Sequence, residues 1–164
     1  VLAGDGYTAG VLPYEGGATA VLIVPDEGRL DQVAADLTAS TLENLADAEG
    51  DGTSYGVGVP TFTSDTGIQE LVPALRSLGV QHLFTPTPSW PMFATEDDHH
   101  ISFVKHRVVV AVNELGTEAA AATSAGGIGG AGPARSFIVD RPFLMAILDA
   151  DNAVLFMGQV TDPR

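Results

Sequence analysis

The 164-residue sequence predicts an α+β fold of mostly antiparallel strands with a few short helices. Two observations carry that expectation. Short runs rich in β-branched residues alternate with turns marked by glycine and proline, and the amphipathic helical stretches between them are few and brief. A composition of 45% hydrophobic and 17% charged residues fits one folded domain, large enough to bury about 70% of its unfolded surface.

Val11–Val24 reads as a hairpin. Val11-Leu12 ends one strand, Glu15-Gly16-Gly17 makes the turn, and Ala20-Val21-Leu22-Ile23-Val24 is a buried return strand, stopped by Pro25-Asp26-Glu27-Gly28. Leu30, Val33, Ala34 and Leu37 follow at i, i+3, i+4 and i+7, the apolar stripe of a short helix. Thr38 or Ser40 caps a second helix that carries Leu42 and Leu45 and ends at Glu49-Gly50-Asp51-Gly52. Tyr55–Thr63 returns to strand character. Glu70–Leu78 is helical, with Pro73 in its first turn and Gly79 past its end.

Gly79–Asp98 is loop-like, with prolines at 86, 88 and 91 around Trp90. Ile101–Val112 is the clearest strand: Val104, His106, Val108, Val110 and Val112 share one face, and Lys105, Arg107, Val109 and Ala111 the other. Ser136–Val160 reads as two buried strands joined at Asp149-Ala150-Asp151-Asn152. No repeat or linker divides the chain, so residues 1–164 are expected to form one domain.

Charge narrows the function. Twenty-one acidic residues face seven basic ones, for a net charge of −14. Lys105 is the only lysine, too little cationic charge to neutralise nucleic-acid phosphates or to hold an anionic membrane. The apolar run Ala18–Pro25 is far shorter than the ~20 residues that span a bilayer. With no cysteine there is no disulfide scaffold, thiolate metal site or cysteine nucleophile. The chain opens at Val1 without a basic segment leading into an apolar one, which reads as a processed or truncated chain.

Several patterns invite chemistry and fail on context. Gly127-Ile128-Gly129-Gly130-Ala131-Gly132 matches G-x-G-x-x-G, with Asp151 about twenty residues on, yet Pro133 leads into a strand where a dinucleotide site needs a helix. Glu96-Asp97-Asp98-His99-His100 offers carboxylates and imidazoles, but adjacent loop residues seldom converge on one ion, and a solvated acidic turn is preferred; no metal and no cofactor is expected. His106, on an otherwise valine face, reads first as a hydrogen-bonded core histidine. No G-x-S-x-G elbow is present, and nothing resembles an enzyme active site.

The segment Gly116–Pro133 is different in kind. It is made almost wholly of alanine, glycine and other small residues, which cannot anchor it by burial, and long loops of this sort in compact domains are usually functional. Asn113-Glu114-Leu115-Gly116-Thr117-Glu118-Ala119-Ala120-Ala121-Ala122-Thr123 resembles the reactive-loop hinge of the serpins. Phe137-Ile138-Val139-Asp140-Arg141-Pro142-Phe143-Leu144, followed by Val154-Leu155-Phe156-Met157-Gly158-Gln159-Val160-Thr161-Asp162-Pro163, resembles the serpin C-terminal signature, in the right order and spacing. The resemblance covers essentially the whole chain. It implies the C-terminal part of the serpin fold, in which the N-terminal helices and first strands of the large sheet are absent, with a long exposed reactive loop.

What the resemblance implies is a suicide inhibitor of a serine protease, secreted rather than cytoplasmic and monomeric when full length. The hinge is Glu114 and Gly116, Thr117, Glu118, Ala119, Ala120, Ala121, Ala122 and Thr123, with Gly116 as pivot and Thr117 the first side chain to enter the sheet. Counting forward from the hinge places the reactive bond at Gly130–Ala131; counting back from Phe143 gives Ala131–Gly132, and a slipped frame would use Ile128. The tiny residue on the acyl side suits an elastase-like or subtilisin-like pocket; Arg135, which would suit a trypsin-like target, lies too close to the following strand. His106 falls where the family places a histidine in the shutter region. Glu114 matches an acidic residue that often pairs with a lysine whose place is here taken by Thr61, so that ion pair is expected to be absent. A non-inhibitory binding protein of serpin fold, and an inactive truncated fragment, are the alternatives.

Overall fold

A computed structural model of the chain describes residues 1–49, 53, 55–85, 100–113 and 135–163. The strands among them are β1 (Leu2–Gly4), β2 (Tyr7–Pro13), β3 (Thr19–Pro25), β4 (Tyr55–Gly58), β5 (Phe62–Asp65), β6 (Gln69–Glu70), β7 (Lys105–His106), β8 (Val109–Val112), β9 (Arg135–Ile138), β10 (Phe143–Leu148) and β11 (Val154–Val160). The helices are α1 (Leu30–Asp36), α2 (Ala39–Ala46) and α3 (Val72–Ser77), with a 3-10 turn at His82–Phe84. They divide into two compact units, one of residues 1–63 and 111–164 and one of residues 64–110.

The first unit is built on an antiparallel sheet in the order β1-β2-β3-β10-β11. The expected hairpin is its centre: Val11 lies opposite Val21, and Tyr14 N–H donates to the Ala18 carbonyl at 2.8 Å across a turn whose Gly16 and Gly17 have φ of 99° and 90°. Only glycine enters that region cheaply, which is why the turn sits there. Alternation along β3 and β10 sends side chains to two faces, and both faces are covered. On one, Ala9, Val21, Ile23, Leu144, Ala146 and Leu148 pack with Val33 of α1 and Leu42 and Leu45 of α2. On the other, Leu22, Met145, Ile147 and Phe143 are buried. There the Phe62 ring meets Phe143 edge-on at 5.8 Å, and Phe137 lies over Gly10. Fully burying side chains such as Ile23, Leu148 and Phe143 contributes ~1.5–3 kcal/mol each.

Local signals place the helices against this sheet. Of the two candidate caps for α2, Thr38 takes the role, its hydroxyl accepting from Thr41 N–H at 3.2 Å. At the hairpin joining β10 to β11, Asn152 holds φ of 63° and donates from Nδ2 to Asp47 Oδ1 at 2.8 Å, tying the turn to the end of α2.

In the second unit, β6 and β7 pair antiparallel, with Gln69 opposite His106 and Glu70 opposite Lys105. Pro73 lies in the first turn of α3, and Gly79, at φ of 91°, ends it as Val80 N–H reaches the Leu75 carbonyl at 3.0 Å. Phe84 is buried under Arg76, whose guanidinium carbon is 5.6 Å from the ring centre. No helix among the described residues is long and apolar enough to cross a membrane.

Four expectations are corrected. Tyr55–Thr63 is two strands, β4 and β5, split around Pro60, which has no N–H for a ladder. Ile101–Val112 keeps its alternation but pairs only over β7 and β8, for a reason that lies in the site below. Ser136–Val160 holds three strands, of which β10 is buried throughout while β11 is exposed from Val154 to Gln159, because β11 is the sheet edge. His106 is exposed, so it is no core histidine: it sits on β7 at a two-residue ladder with little packed over it.

Candidate functional site

The candidate site is the segment between β8 and β9. Glu114, Gly116, Thr117, Glu118, Ala119, Ala120, Ala121, Ala122 and Thr123 of the expected hinge, and Gly130 and Ala131 of the expected reactive bond, lie outside the described residues. So do Glu96-Asp97-Asp98-His99, Trp90, and Ile128, Gly129, Gly132 and Pro133. What is described is how the chain is held on either side.

On the exit side the anchoring is by burial. β9 runs parallel to β4, with Tyr55 opposite Arg135 and Val57 opposite Phe137. Val139 N–H then donates to the Gly58 carbonyl at 2.8 Å. Phe137 and Val139 are buried, at 5% and 3% exposure, whereas Ile138 between them points outward. Gly10 makes room for the Phe137 ring: a Cβ there would stand 2.8 Å from its Cδ1 and 2.9 Å from its Cζ, inside van der Waals contact. Pro142 and the wholly buried Phe143 follow, so within nine residues of Arg135 the chain is locked into the sheet core.

On the entry side the anchoring is polar. The strand 104–108 is held to 65–72 largely by side chains that replace ladder bonds. The Arg107 guanidinium grips Asp65, Nε to Oδ1 at 2.9 Å and Nη2 to Oδ2. Thr66 N–H donates to the Val108 carbonyl at 3.1 Å, and Val108 N–H returns to the Thr66 hydroxyl at 3.0 Å. Glu70 Oε1 accepts from Val104 N–H at 2.9 Å and Val72 N–H at 3.3 Å, while Leu71 N–H reaches the Val104 carbonyl at 2.8 Å. Gly67, at φ of 63°, bends the partner strand away, and these side chains fill the gap; that is why the predicted long strand pairs in two pieces. The Arg107 hydrogen bonds, and then the Gly67 N–H donated to Oδ1 at 2.9 Å, hold the Asp65 carboxyl down at about 2, and Asp65 in turn pushes the Arg107 pKa up.

The sequence assigned no role to Asp65 or Glu70. The alternation put Arg107 on one face with Lys105, Val109 and Ala111, but a partner 42 residues earlier leaves no local trace. Among the described residues no three of His, Asp and Glu gather as a metal set. In the second unit residues 104–108 are held by polar side chains, and in the first unit β9 is held by buried ones.

A family model described as Serpin (serine protease inhibitor) matches residues 3–163. Serine protease inhibitor A3L of Rattus norvegicus is 31% identical over 156 residues, which is 93% of this chain and 37% of the relative. The Plasma serine protease inhibitor of Homo sapiens is 35% identical over 156 residues, again 93% of this chain and 37% of the relative. The crystal structure of human thyroxine-binding globulin complexed with thyroxine superposes with a TM-score of 0.80 at 25% identity, covering 96% of this chain and 41% of that one. The chain therefore spans well under half the length of these similar proteins.

Proposed function

This chain belongs to the serpin family, and on that premise we propose that it is the C-terminal, loop-bearing portion of a serine protease inhibitor that works as a suicide substrate. The observation that supports the reading is the run Gly116–Pro133, small residues with nothing of their own to bury, between a strand held by polar clasps and a strand held by Phe137, Val139 and Phe143. The protease serine adds to the Gly130 carbonyl, the Gly130–Ala131 peptide bond breaks, and Ala131 leaves as a new amine after taking up a proton. Gly130 stays on the enzyme as an ester. Before water can hydrolyse it, the segment from Thr117 onward enters the large sheet as a new strand and carries the enzyme with it. Ala119–Ala122 suit that step because methyl groups fit between neighbouring strands. Gly130 or Ala131 on the acyl side selects a small pocket, so the partner is an elastase-like or subtilisin-like serine protease, met outside the cell.

The test is digestion of the chain by elastase and by subtilisin, with the released peptide weighed. The expected cut is Gly130–Ala131 or Ala131–Gly132, with no complex surviving denaturant, because the strands that would flank an inserted loop are not all in these 164 residues. Cuts confined to sites outside residues 116–134 would refute the placement. A denaturant-stable complex with this chain alone would refute the requirement for the rest of the fold. The likeness to thyroxine-binding globulin favours one second reading, a non-inhibitory binding protein of serpin fold; saturable heat of binding on titration with thyroxine, with no cleavage of the loop, would select it.

A further inference from the structure

Asp5-Gly6 is the whole of the turn between β1 and β2, whose end residues Gly4 and Tyr7 face each other across the ladder. An Asp–Gly bond is chemically reactive, because glycine has no side chain to shield its amide nitrogen from the carboxyl before it. The Asp5 side chain is 97% exposed, and one residue touches both members of the pair. Arg29 Nη1 donates to Asp5 Oδ1 at 3.1 Å, and the same guanidinium lies against Gly6, where a Cβ would overlap Nη1, Cζ and Nε. Arg29 is itself placed by the loop before α1. Its N–H donates to the Asp26 carbonyl at 3.0 Å, and Asp26 N–H reaches back to the Gly6 carbonyl at 2.8 Å. The Arg29 side chain caps nothing in α1. Glycine at φ of 76° is thus what admits the guanidinium, and it is also what leaves the bond open to attack.

We propose that Asp5–Gly6 is a site of isoaspartate formation and that Arg29 sets its rate. The Gly6 nitrogen adds to the Asp5 side-chain carboxyl carbon and gives up its proton, and water leaves as a five-membered imide closes. Water then opens the ring at either carbonyl. Breaking the bond between the nitrogen and the former main-chain carbon gives isoaspartate, and breaking the new bond returns aspartate. One water leaves and one enters, so the mass is unchanged and no other reactant is needed. A carboxylate tied to Arg29 must let go of it before its carbon can reach the Gly6 nitrogen. The product carries an extra methylene in the main chain between β1 and Gly6. The Gly6 carbonyl then no longer fits the Asp26 N–H, and the pairing of Leu2–Gly4 with Tyr7–Ala9 must shift.

The test holds the 164-residue chain at neutral pH and body temperature for several weeks and then cuts it after Glu15. Electron-transfer fragmentation of the peptide 1–15 tells isoaspartate from aspartate at equal mass, and Asp51-Gly52, the other Asp–Gly bond of the sequence, falls in a different peptide. Isoaspartate is expected to accumulate at Asp5, and Arg29→Gln should form it about 2–5-fold faster, the range that an exposed ion pair can hold back. Molar sodium chloride, which cuts the screening length to about 3 Å, should bring the parent toward the Arg29→Gln rate and leave Arg29→Gln unchanged. Asp5→Glu, whose longer side chain closes no five-membered ring, should form none. Far-UV circular dichroism identical to the parent shows that a variant has folded, and the salt arm needs no substitution at all. No isoaspartate at Asp5 in parent or variant overturns the site. Equal rates in the parent and Arg29→Gln, with salt inert on both, overturn the role of Arg29.

Discussion

Gly10→Ala is the sharpest perturbation of the loop's exit anchor. The added methyl would overlap the Phe137 ring, standing 2.8 Å from Cδ1 and 2.9 Å from Cζ, where contact carbons need about 3.5 Å or more. The β2–β3 ladder fixes the backbone at Gly10, which pairs with Leu22, so the ring must give way. Phe137 is 5% exposed and its strand is pinned to β4, so it moves only by straining or lifting β9. Overpacking of this kind costs roughly 1–3 kcal/mol, which for a chain of this length lowers the melting midpoint by about 4–8 °C at ~2 kcal/mol. Urea unfolding of Gly10→Ala, Phe137→Leu and the double variant gives the coupling directly. Phe137→Leu alone loses packing, but it makes room for the methyl, so the double variant should be more stable than the sum of the single losses by ~1 kcal/mol. Strict additivity, or a Gly10→Ala change within about 0.5 kcal/mol, would mean that the ring does not lie against Gly10.

Acid tests the entry side. The folded Asp65 carboxyl is held at about 2 against an ordinary 3.8, so the Asp65–Arg107 clasp adds stability that is complete above about pH 4 and is lost as pH falls toward 2. Amide exchange of residues 104–108 should accelerate across that window, and in Asp65→Asn it should be faster already at pH 5 and change less with acid; an unaltered profile would refute the assignment. At the β10–β11 turn, Asn152→Ala loses both the Asp47 hydrogen bond and a residue tolerant of φ 63°, and should cost about 1–2 kcal/mol in urea melts, whereas Asn152→Gly loses only the former and should cost less. Equal losses for the two would remove backbone strain from the explanation.

The legible parts of this fold were those whose causes are local. The Gly16-Gly17 turn, the Leu30/Val33/Ala34 stripe and the Gly79 stop each rest on residues a few positions apart and appear where the sequence put them, and of the two caps it offered for α2 the structure uses Thr38. The errors came from what lies far along the chain. Valine alternation in 101–112 is real, but whether a strand pairs depends on its neighbour, and Gly67 with Thr66 interrupts that neighbour. The apolar sequence of β11 reads as buried because apolar strands usually are, yet burial requires a cover that only topology supplies. The expected hinge and reactive bond rest solely on family pattern and lie outside the described residues, since alanine and glycine carry little packing information of their own.

One further consequence lies in where the chain crosses the sheet. β10 is the fourth strand, between β3 from the first quarter of the chain and β11 at its end. A nick anywhere in residues 114–134 therefore yields two polypeptides joined along the β3–β10 and β4–β9 ladders, the shorter one contributing β9, β10 and β11. Separating the pieces would break the β3–β10 ladder and expose Phe143, Leu144 and Leu148, which are buried. Cleavage should be silent to gel filtration and visible only after denaturation, and the two pieces, made separately, should recombine into one two-chain protein.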